Sequence, residues 1–249
     1  MGRLVVAEWT KLVTTKVWIG LLLGACVFGG GFAALFTGLA GDDGLPAVGT
    51  PQYEELVLAV AANGTVFALI LGIIGMTQEY RHRTATPTFL ASPHRWRVVA
   101  AKLVAYAVAA VGFAVVVCLV TAVVAHVYAS ARGAGLSVTR ENVLVLSRAG
   151  LAIVIYAVIG VGLGALVRNQ VGAIVGALVF LYVVEPLIGN IPATSGVYKW
   201  LPGGALQAMT ANFEGPDVLT AVQGASLLLG YGLLAAVLGT VFAVRRDIV

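Results

Sequence analysis

Six long stretches of the chain are almost continuously apolar, and short polar segments separate them. Each is close to the roughly 20 apolar residues that an α-helix needs to cross the hydrocarbon layer of a bilayer. None contains Lys, Arg or Asp, and Glu185 is their one Glu. Because a charge inside a spanning helix is costly, the pattern predicts an all-α membrane protein. The six predicted transmembrane helices cover residues 17–39, 56–76, 103–128, 149–167, 171–188 and 219–244.

Composition supports one transmembrane domain over residues 1–249. Hydrophobic residues make up 60% of the chain and charged residues 10%, whereas a soluble domain carries about 25% charged residues.

The polar residues 168–170 between the fourth and fifth stretches predict a tight turn. The first stretch is also open to interpretation as a signal sequence, but its 23 residues exceed the 7–15 apolar residues of a typical signal core. A retained span is therefore favoured.

The basic residues are distributed unevenly between the two sides of the predicted bundle. Eleven of the fifteen Lys and Arg residues fall on the side of the N-terminus. Since positive residues stay cytoplasmic, both termini are predicted to face the cytoplasm. The net charge of +4 then reflects membrane topology and does not indicate nucleic-acid binding. The eleven are Arg3, Lys11, Lys16, Arg81, Arg83, Arg95, Arg97, Lys102, Arg168, Arg245 and Arg246.

Residues 3–16 predict a helix that lies in the membrane interface before the first span. One face carries Val5, Trp9, Leu12 and Val13, with helical spacing. Other positions carry Arg3, Glu8, Lys11 and Thr15. Trp9, Lys11 and Trp18 are the predicted interfacial anchors. A positively charged flank without fixed structure is the alternative.

The sequence offers little chemistry of its own. No Lys follows a Gly, so the phosphate-binding loop of an ATPase is absent. Cys26 and Cys118 lie in separate spans, and no Cys pair has zinc-site spacing. We therefore expect no catalytic residue, no metal and no cofactor in this chain, and any ATP hydrolysis is expected in a partner subunit.

The loop 77–97 has the features of a docking element. Thr86 is a suitable N-cap and Pro87 a suitable first helical residue, while Ser92-Pro93 ends the segment. The resulting short helix would present Phe89 and Leu90 between charged flanks. Apolar anchors with polar surroundings are typical of partner contacts. A positively charged loop with two incidental apolar residues is the equally open alternative.

Four motifs, in order along the chain, resemble those of type-2 ABC transporter permeases, the membrane subunits of bacterial ABC exporters. The first is Glu8-Trp9-Thr10-Lys11-Leu12 near the N-terminus. The second joins residues 79–84 (Glu-Tyr-Arg-His-Arg-Thr), residues 86–93 (Thr-Pro-Thr-Phe-Leu-Ala-Ser-Pro) and Lys102. The others are residues 160–170 (Gly-Val-Gly-Leu-Gly-Ala-Leu-Val-Arg-Asn-Gln) and residues 201–205 (Leu-Pro-Gly-Gly-Ala).

The resemblance implies a permease that pairs with a second permease, identical or related, and with two ATPase subunits that bind ATP and Mg. It implies that residues 87–92 form a coupling helix, and that residues 189–218 form a re-entrant extracytoplasmic region. It also implies a location in the bacterial cytoplasmic membrane. The residues implied in coupling to the ATPase are Glu79, Arg81, Arg83, Thr86, Phe89 and Leu90.

A few polar residues inside the spans are candidates for a substrate path: Asn63, Thr65, Thr121 and Glu185. Internal hydrogen-bonding partners are the alternative interpretation. Because no ionisable residue falls near a predicted midplane, a hydrophobic or amphipathic substrate is expected. Two rival functions stay open. One is a non-transporting scaffold or immunity subunit of similar fold, and the other is an ion-coupled secondary transporter.

Overall fold

The chain is almost entirely helical. The computed structural model describes residues 1–42, 44–81, 95–191, 194–210 and 219–245. Within these ranges 86% of the structure is helix and there is no β-strand. Six helical segments are long and apolar enough to cross a membrane. The all-α class and the predicted number of six spans are thus confirmed, and the protein has the architecture of a multi-pass membrane protein.

The helices follow the order of the apolar stretches. The second span consists of α3, a 3-10 turn and α4, and the fifth of α7, a π-helical segment and α8. The bounds are α1 Gly2–Thr14, α2 Val17–Leu39, α3 Pro51–Ala59, the 3-10 turn Val60–Asn63, α4 Gly64–Arg81, α5 Arg95–Ala131, α6 Arg140–Val167, α7 Gln170–Val179, the π-segment Phe180–Val184, α8 Glu185–Asn190, α9 Ser195–Tyr198, α10 Pro202–Thr210 and α11 Ala221–Arg245.

Local capping signals set several helix boundaries. The hydroxyl of Thr50 accepts a hydrogen bond from the backbone N–H of Tyr53, at 3.3 Å, before a helix that begins with Pro51. Arg168 ends α6 in the left-handed conformation, with φ of 57°. The side chain of Asn169 then caps α7 by accepting from Gly172 N at 3.0 Å. The predicted tight turn at 168–170 is confirmed.

Helix α6 lies at the centre of the bundle and packs against α4, α5 and α11. Its crossing with α4 is very close, because Gly160 on α6 faces Gly72 on α4. A Cβ on Gly160 would overlap the carbonyl oxygen of Leu69, and one on Gly72 would overlap the carbonyl oxygen of Ala157. Such contacts between backbones hold helices together in lipid, where apolar burial supplies no drive for association.

This crossing makes Gly160→Ala a destabilising substitution. An exposed helical Gly→Ala change normally gains about 1 kcal/mol in helix propensity, but overpacking costs about 1–3 kcal/mol or more, and a backbone oxygen cannot rotate away. We expect a lower midpoint for thermal unfolding in detergent, measured with a thiol-reactive dye that reports exposure of Cys26 and Cys118. Gly176→Ala is the matched control, since nothing lies within 4 Å of a Cβ there. Equal unfolding midpoints for both variants would contradict the close backbone contact between α4 and α6 at Gly160.

Candidate functional site

Four charged side chains from three helices meet at the end of the bundle that carries the N-terminus. This charged cluster consists of Glu8 and Lys11 from α1, Glu79 from α4 and Lys102 from α5. Lys102 Nζ lies 2.5 Å from Glu8 Oε2 and 3.2 Å from Glu79 Oε1. Lys11 Nζ lies 2.6 Å from Glu79 Oε1 and 2.7 Å from Glu8 Oε1. Each cation therefore contacts both carboxylates.

Three members of the charged cluster are buried, the fourth, Lys11, is partly exposed, and the charges balance. Lys102 has no exposed surface, and Glu8 and Glu79 are each 4% exposed. Lys102 also donates to the carbonyl oxygen of Gly75 at 3.1 Å. Buried charges of this kind persist only when they are paired and hydrogen-bonded. With two carboxylates and two ammonium groups, the cluster needs no further counter-ion.

Glu8 occupies a position that the apolar pattern of α1 does not predict. The buried side chains of α1 are Glu8 and Leu12, which lie on one face because they are four residues apart. Trp9 and Val13, predicted on the apolar face, are largely exposed. The buried face of α1 thus includes a carboxylate. This carboxylate is stabilised because Lys102 supplies the opposite charge across the interface with α5.

The charged cluster joins both helices that flank residues 82–94 to α1. Glu79 lies in the last turn of α4 before this segment, and Lys102 lies in the second turn of α5 after it. Arg81 is exposed at the end of α4. The predicted coupling helix at 87–92 lies outside the described residues, as do Arg83, Thr86, Phe89 and Leu90. The coupling roles of all these residues stay predictions.

Trp9 and Trp18 line an apolar cavity of about 290 Å³ together with Leu12, Leu22 and Phe113. The indole N–H of Trp18 donates to the carbonyl oxygen of Val13 at 3.3 Å. Both indoles thus belong to the wall of one cavity where α1 meets α2. Anchoring of Trp9, Lys11 and Trp18 in the interface stays a prediction, while Lys11 Nζ contacts Glu8 and Glu79.

A second candidate site is a polar cavity of about 440 Å³ near the start of α4. Asn63 and Thr65, two predicted substrate-path residues, line it. Three tyrosines, which the sequence analysis did not select, also contribute to its wall. Further polar lining comes from α10, the helix inside the predicted re-entrant region. The polar cavity is lined by Asn63, Thr65, Tyr156, Tyr182, Tyr198, Gly203, Gln207 and Thr210 among others.

Glu185 lies directly behind the wall of the polar cavity at Gly203. Glu185 is 1% exposed, and its Oε2 accepts a hydrogen bond of 2.6 Å from Gly203 N. A Cβ on Gly203 would overlap this oxygen, so a larger residue here would displace the carboxylate of Glu185. The other carboxylate oxygen, Oε1, is buried and has no hydrogen-bond partner. Glu185 follows the π-helical segment, and such segments are frequent at functional sites.

Thr121, the fourth predicted path residue, lies elsewhere. It is buried on α5 facing Gly29 of α2, where a Cβ would come within 2.7 Å of its hydroxyl oxygen. The structure therefore brings Asn63 and Thr65 to one cavity, places Glu185 behind its wall, and leaves Thr121 apart from it. A signal for the missed residues exists in the sequence, since Tyr156 and Tyr182 each place a polar hydroxyl inside an apolar stretch.

Another buried carboxylate, Glu54 on α3, contrasts with Glu185. Glu54 accepts hydrogen bonds from the backbone N–H and the hydroxyl of Ser137, at 2.9 and 2.6 Å, and from the amide of Asn142, at 2.6 Å. Both of its oxygens are therefore satisfied, and it ties the segment between α5 and α6 to α3. The hydrogen bonds of Glu54 explain its burial by a structural role, whereas Glu185 Oε1 has no hydrogen-bond partner that would do so.

No protein-family model and no curated protein matches this chain. Among the residues that the structure describes, no three His, Cys, Asp or Glu side chains come together as a metal site would require.

Removal of one member of the charged cluster should destabilise the fold strongly. Lys102→Met keeps the volume but leaves Glu8 and Glu79 with one cation between them, and breaking a buried pair costs about 3–5 kcal/mol. We expect a lower unfolding midpoint in detergent. Adding Glu8→Gln restores charge balance and should recover much of the loss. Arg3→Met on the exposed side of α1 is the control. An unfolding midpoint of the double variant no higher than that of Lys102→Met would argue against charge balance as the source of stability.

The charged cluster should weaken at high pH. Partial burial lowers the pKa of Lys11, but hydrogen bonds and charge attraction from Glu79 and Glu8 outweigh it and raise that pKa above its ordinary value of 10.5. A raised folded-state pKa stabilises below the unfolded value and loses that effect as pH rises through the folded value. The difference in unfolding midpoint between wild type and Lys11→Met should be constant from pH 7 to 9 and shrink above about pH 10.5. A constant difference beyond pH 11 would contradict the pairing.

Proposed function

We propose that the chain is the membrane-spanning permease subunit of an ATP-driven ABC exporter. In this role it moves a hydrophobic or amphipathic substrate outward by alternating access, and a separate ATPase subunit supplies the energy. The observation that carries the proposal is the charged cluster. Its members Glu79 and Lys102 belong to the two helices that flank residues 82–94, the segment that includes the proposed coupling helix. The charged cluster joins both of these helices to α1.

The contacts of the charged cluster suggest how a push on this segment would be transmitted. A movement of residues 82–94 pulls first on α4 and α5. Glu79 pairs with Lys11 of α1, and Lys102 pairs with Glu8 of α1. The three helices therefore move together, because their separation would expose unpaired charges at high cost. Helix α4 carries the movement along its length to Asn63 and Thr65 at the polar cavity.

The distribution of burial is consistent with pairing to a second permease. In the second span 67% of the most apolar window is buried within the chain, but in the first and fifth spans only 22% and 11% are. These two spans thus present most of their apolar side chains outward, to lipid or to another membrane subunit. We propose that both termini face the cytoplasm, as the excess of Lys and Arg on that side indicates.

One observation favours a second candidate function, ion-coupled transport. Glu185 is an ionisable residue buried in a predicted span, and such residues mark proton or ion pathways in many transporters. The two functions differ in their energy source. Transport that survives a protonophore but stops with vanadate supports the exporter, and the opposite pattern supports ion coupling. A chain that moves nothing while still binding its partners would be a scaffold or immunity subunit.

The partner contact is tested by copurification in detergent with the ATPase that accompanies the wild-type chain. Phe89→Asp combined with Leu90→Asp places two carboxylates where apolar anchors are proposed, and truncation of an interface anchor costs about 2 kcal/mol or more. We expect a loss of bound ATPase of at least about tenfold. Val138→Asp, at a 95% exposed position on the opposite side, is the control. Undiminished ATPase binding and hydrolysis in the double variant would refute the coupling assignment.

A further inference from the structure

The polar cavity and Glu185 together have the features of a cation-binding site. Three tyrosine rings, from Tyr156, Tyr182 and Tyr198, contribute to the cavity wall, and no charged residue is among its described lining. Aromatic rings attract cations through their negative faces, and clusters of such rings are used to recognise quaternary ammonium groups. The hydroxyl and amide groups of the lining are neutral, so the rings and the nearby carboxylate dominate the electrostatics.

Glu185, when ionised, supplies the negative charge. Gly203 lines the cavity, and its backbone N–H donates to Glu185 Oε2 at 2.6 Å, so the carboxylate lies directly behind this part of the wall. Within the described part of the chain Glu185 forms no ion pair, and its Oε1 has no hydrogen-bond partner. A buried carboxylate without a counter-charge is strongly unfavourable. An external cation in the adjacent cavity would relieve that cost.

An apolar cavity of about 370 Å³ adjoins the polar cavity. Tyr156 and Leu181 line both, so the two cavities share a wall. The apolar cavity is otherwise lined by side chains such as Leu69, Ile159 and Phe180. Neighbouring compartments of this kind match a molecule with a charged head and an apolar tail.

We propose that these two cavities bind an organic cation that carries an apolar tail. The ammonium group lies among the three tyrosines in front of Glu185, and the tail lies in the apolar cavity beside Leu69 and Phe180. The proposal deepens the function given above by naming the substrate class, and it rests on that function only in treating this molecule as the one transported.

The test measures binding to the full chain purified in a neutral maltoside detergent, by isothermal titration calorimetry with empty micelles subtracted. Three probes share one alkyl chain: hexyltrimethylammonium, hexanol and hexanesulfonate. We expect hexyltrimethylammonium to bind at least about tenfold more tightly than hexanol, and hexanesulfonate to show no binding. Equal affinity for the cation and hexanol would overturn the proposal, as would preference for the anion.

Two pairs of variants locate the site. Glu185→Gln keeps an oxygen that accepts from Gly203 N but removes the charge, so it should weaken the cation about tenfold and leave hexanol unchanged. Glu141→Gln, the same change at an exposed position, should have no effect. If Glu185→Gln unfolds, the second pair decides: Tyr198→Leu should weaken the cation about fivefold, and Tyr198→Phe, which keeps the ring, should not. Wild-type affinity for the cation in a folded Glu185→Gln variant would overturn the site. So would wild-type affinity in both Tyr198→Leu and Tyr198→Phe.

The ammonium group has two possible sources, and a competition experiment distinguishes them. Dihexanoylphosphatidylcholine that displaces the probe identifies a lipid headgroup as a ligand, whereas unchanged probe affinity assigns the site to free amines. Because no ATPase is present in these assays, a failure of binding leaves the exporter assignment intact. Conversely, cation binding by a chain that captures no ATPase would support this site while removing the exporter function.

Discussion

A buried ammonium group is costly unless a counter-charge lies beside it, and this requirement determines how the N-terminal end of the bundle is assembled. Lys102 is fully buried, so both Glu8 and Glu79 have to reach it. Their positions fix the packing of α1 and α4 against α5. Lys11 then balances the second carboxylate. The arrangement explains why an amphipathic N-terminal helix packs on the bundle by a face that contains a carboxylate.

The sequence was sufficient to predict the six spans but not the ion pairs and hydrogen bonds between their helices. Uninterrupted apolar runs and the polar residues 168–170 indicate where spans begin and end, because these signals are local along the chain. The pairing of Glu8 with Lys102 joins residues 94 positions apart, and helical periodicity has no information on such distances. Glu54 shows the same limit, since its partners Ser137 and Asn142 lie on a different helix and the segment before it.

The candidate path residues illustrate the same distinction. Asn63 and Thr65 share a cavity because they are neighbours near the start of α4. Glu185 lies behind the wall of that cavity because it contacts Gly203, and no local pattern predicts that contact. Thr121 satisfies the same sequence criterion, an intramembrane polar residue, yet lies between α2 and α5. The two sites are related through α4, which carries Thr65 at one end and Glu79 at the other. Its 18 residues span about 27 Å.

The central proposal is that the charged cluster transmits ATP-driven movement into the bundle, and vanadate-sensitive ATP hydrolysis by the copurified complex tests it most directly. Charge-balanced removal of the pair, Lys102→Met with Glu8→Gln, should leave a folded chain that still binds the ATPase, but α1 would no longer be joined to α5 by charge. The proposal predicts that the double variant still binds the ATPase but no longer changes its rate of ATP hydrolysis. A change in this rate equal to that caused by the wild-type chain, or a wild-type chain that copurifies with no ATPase, would contradict it.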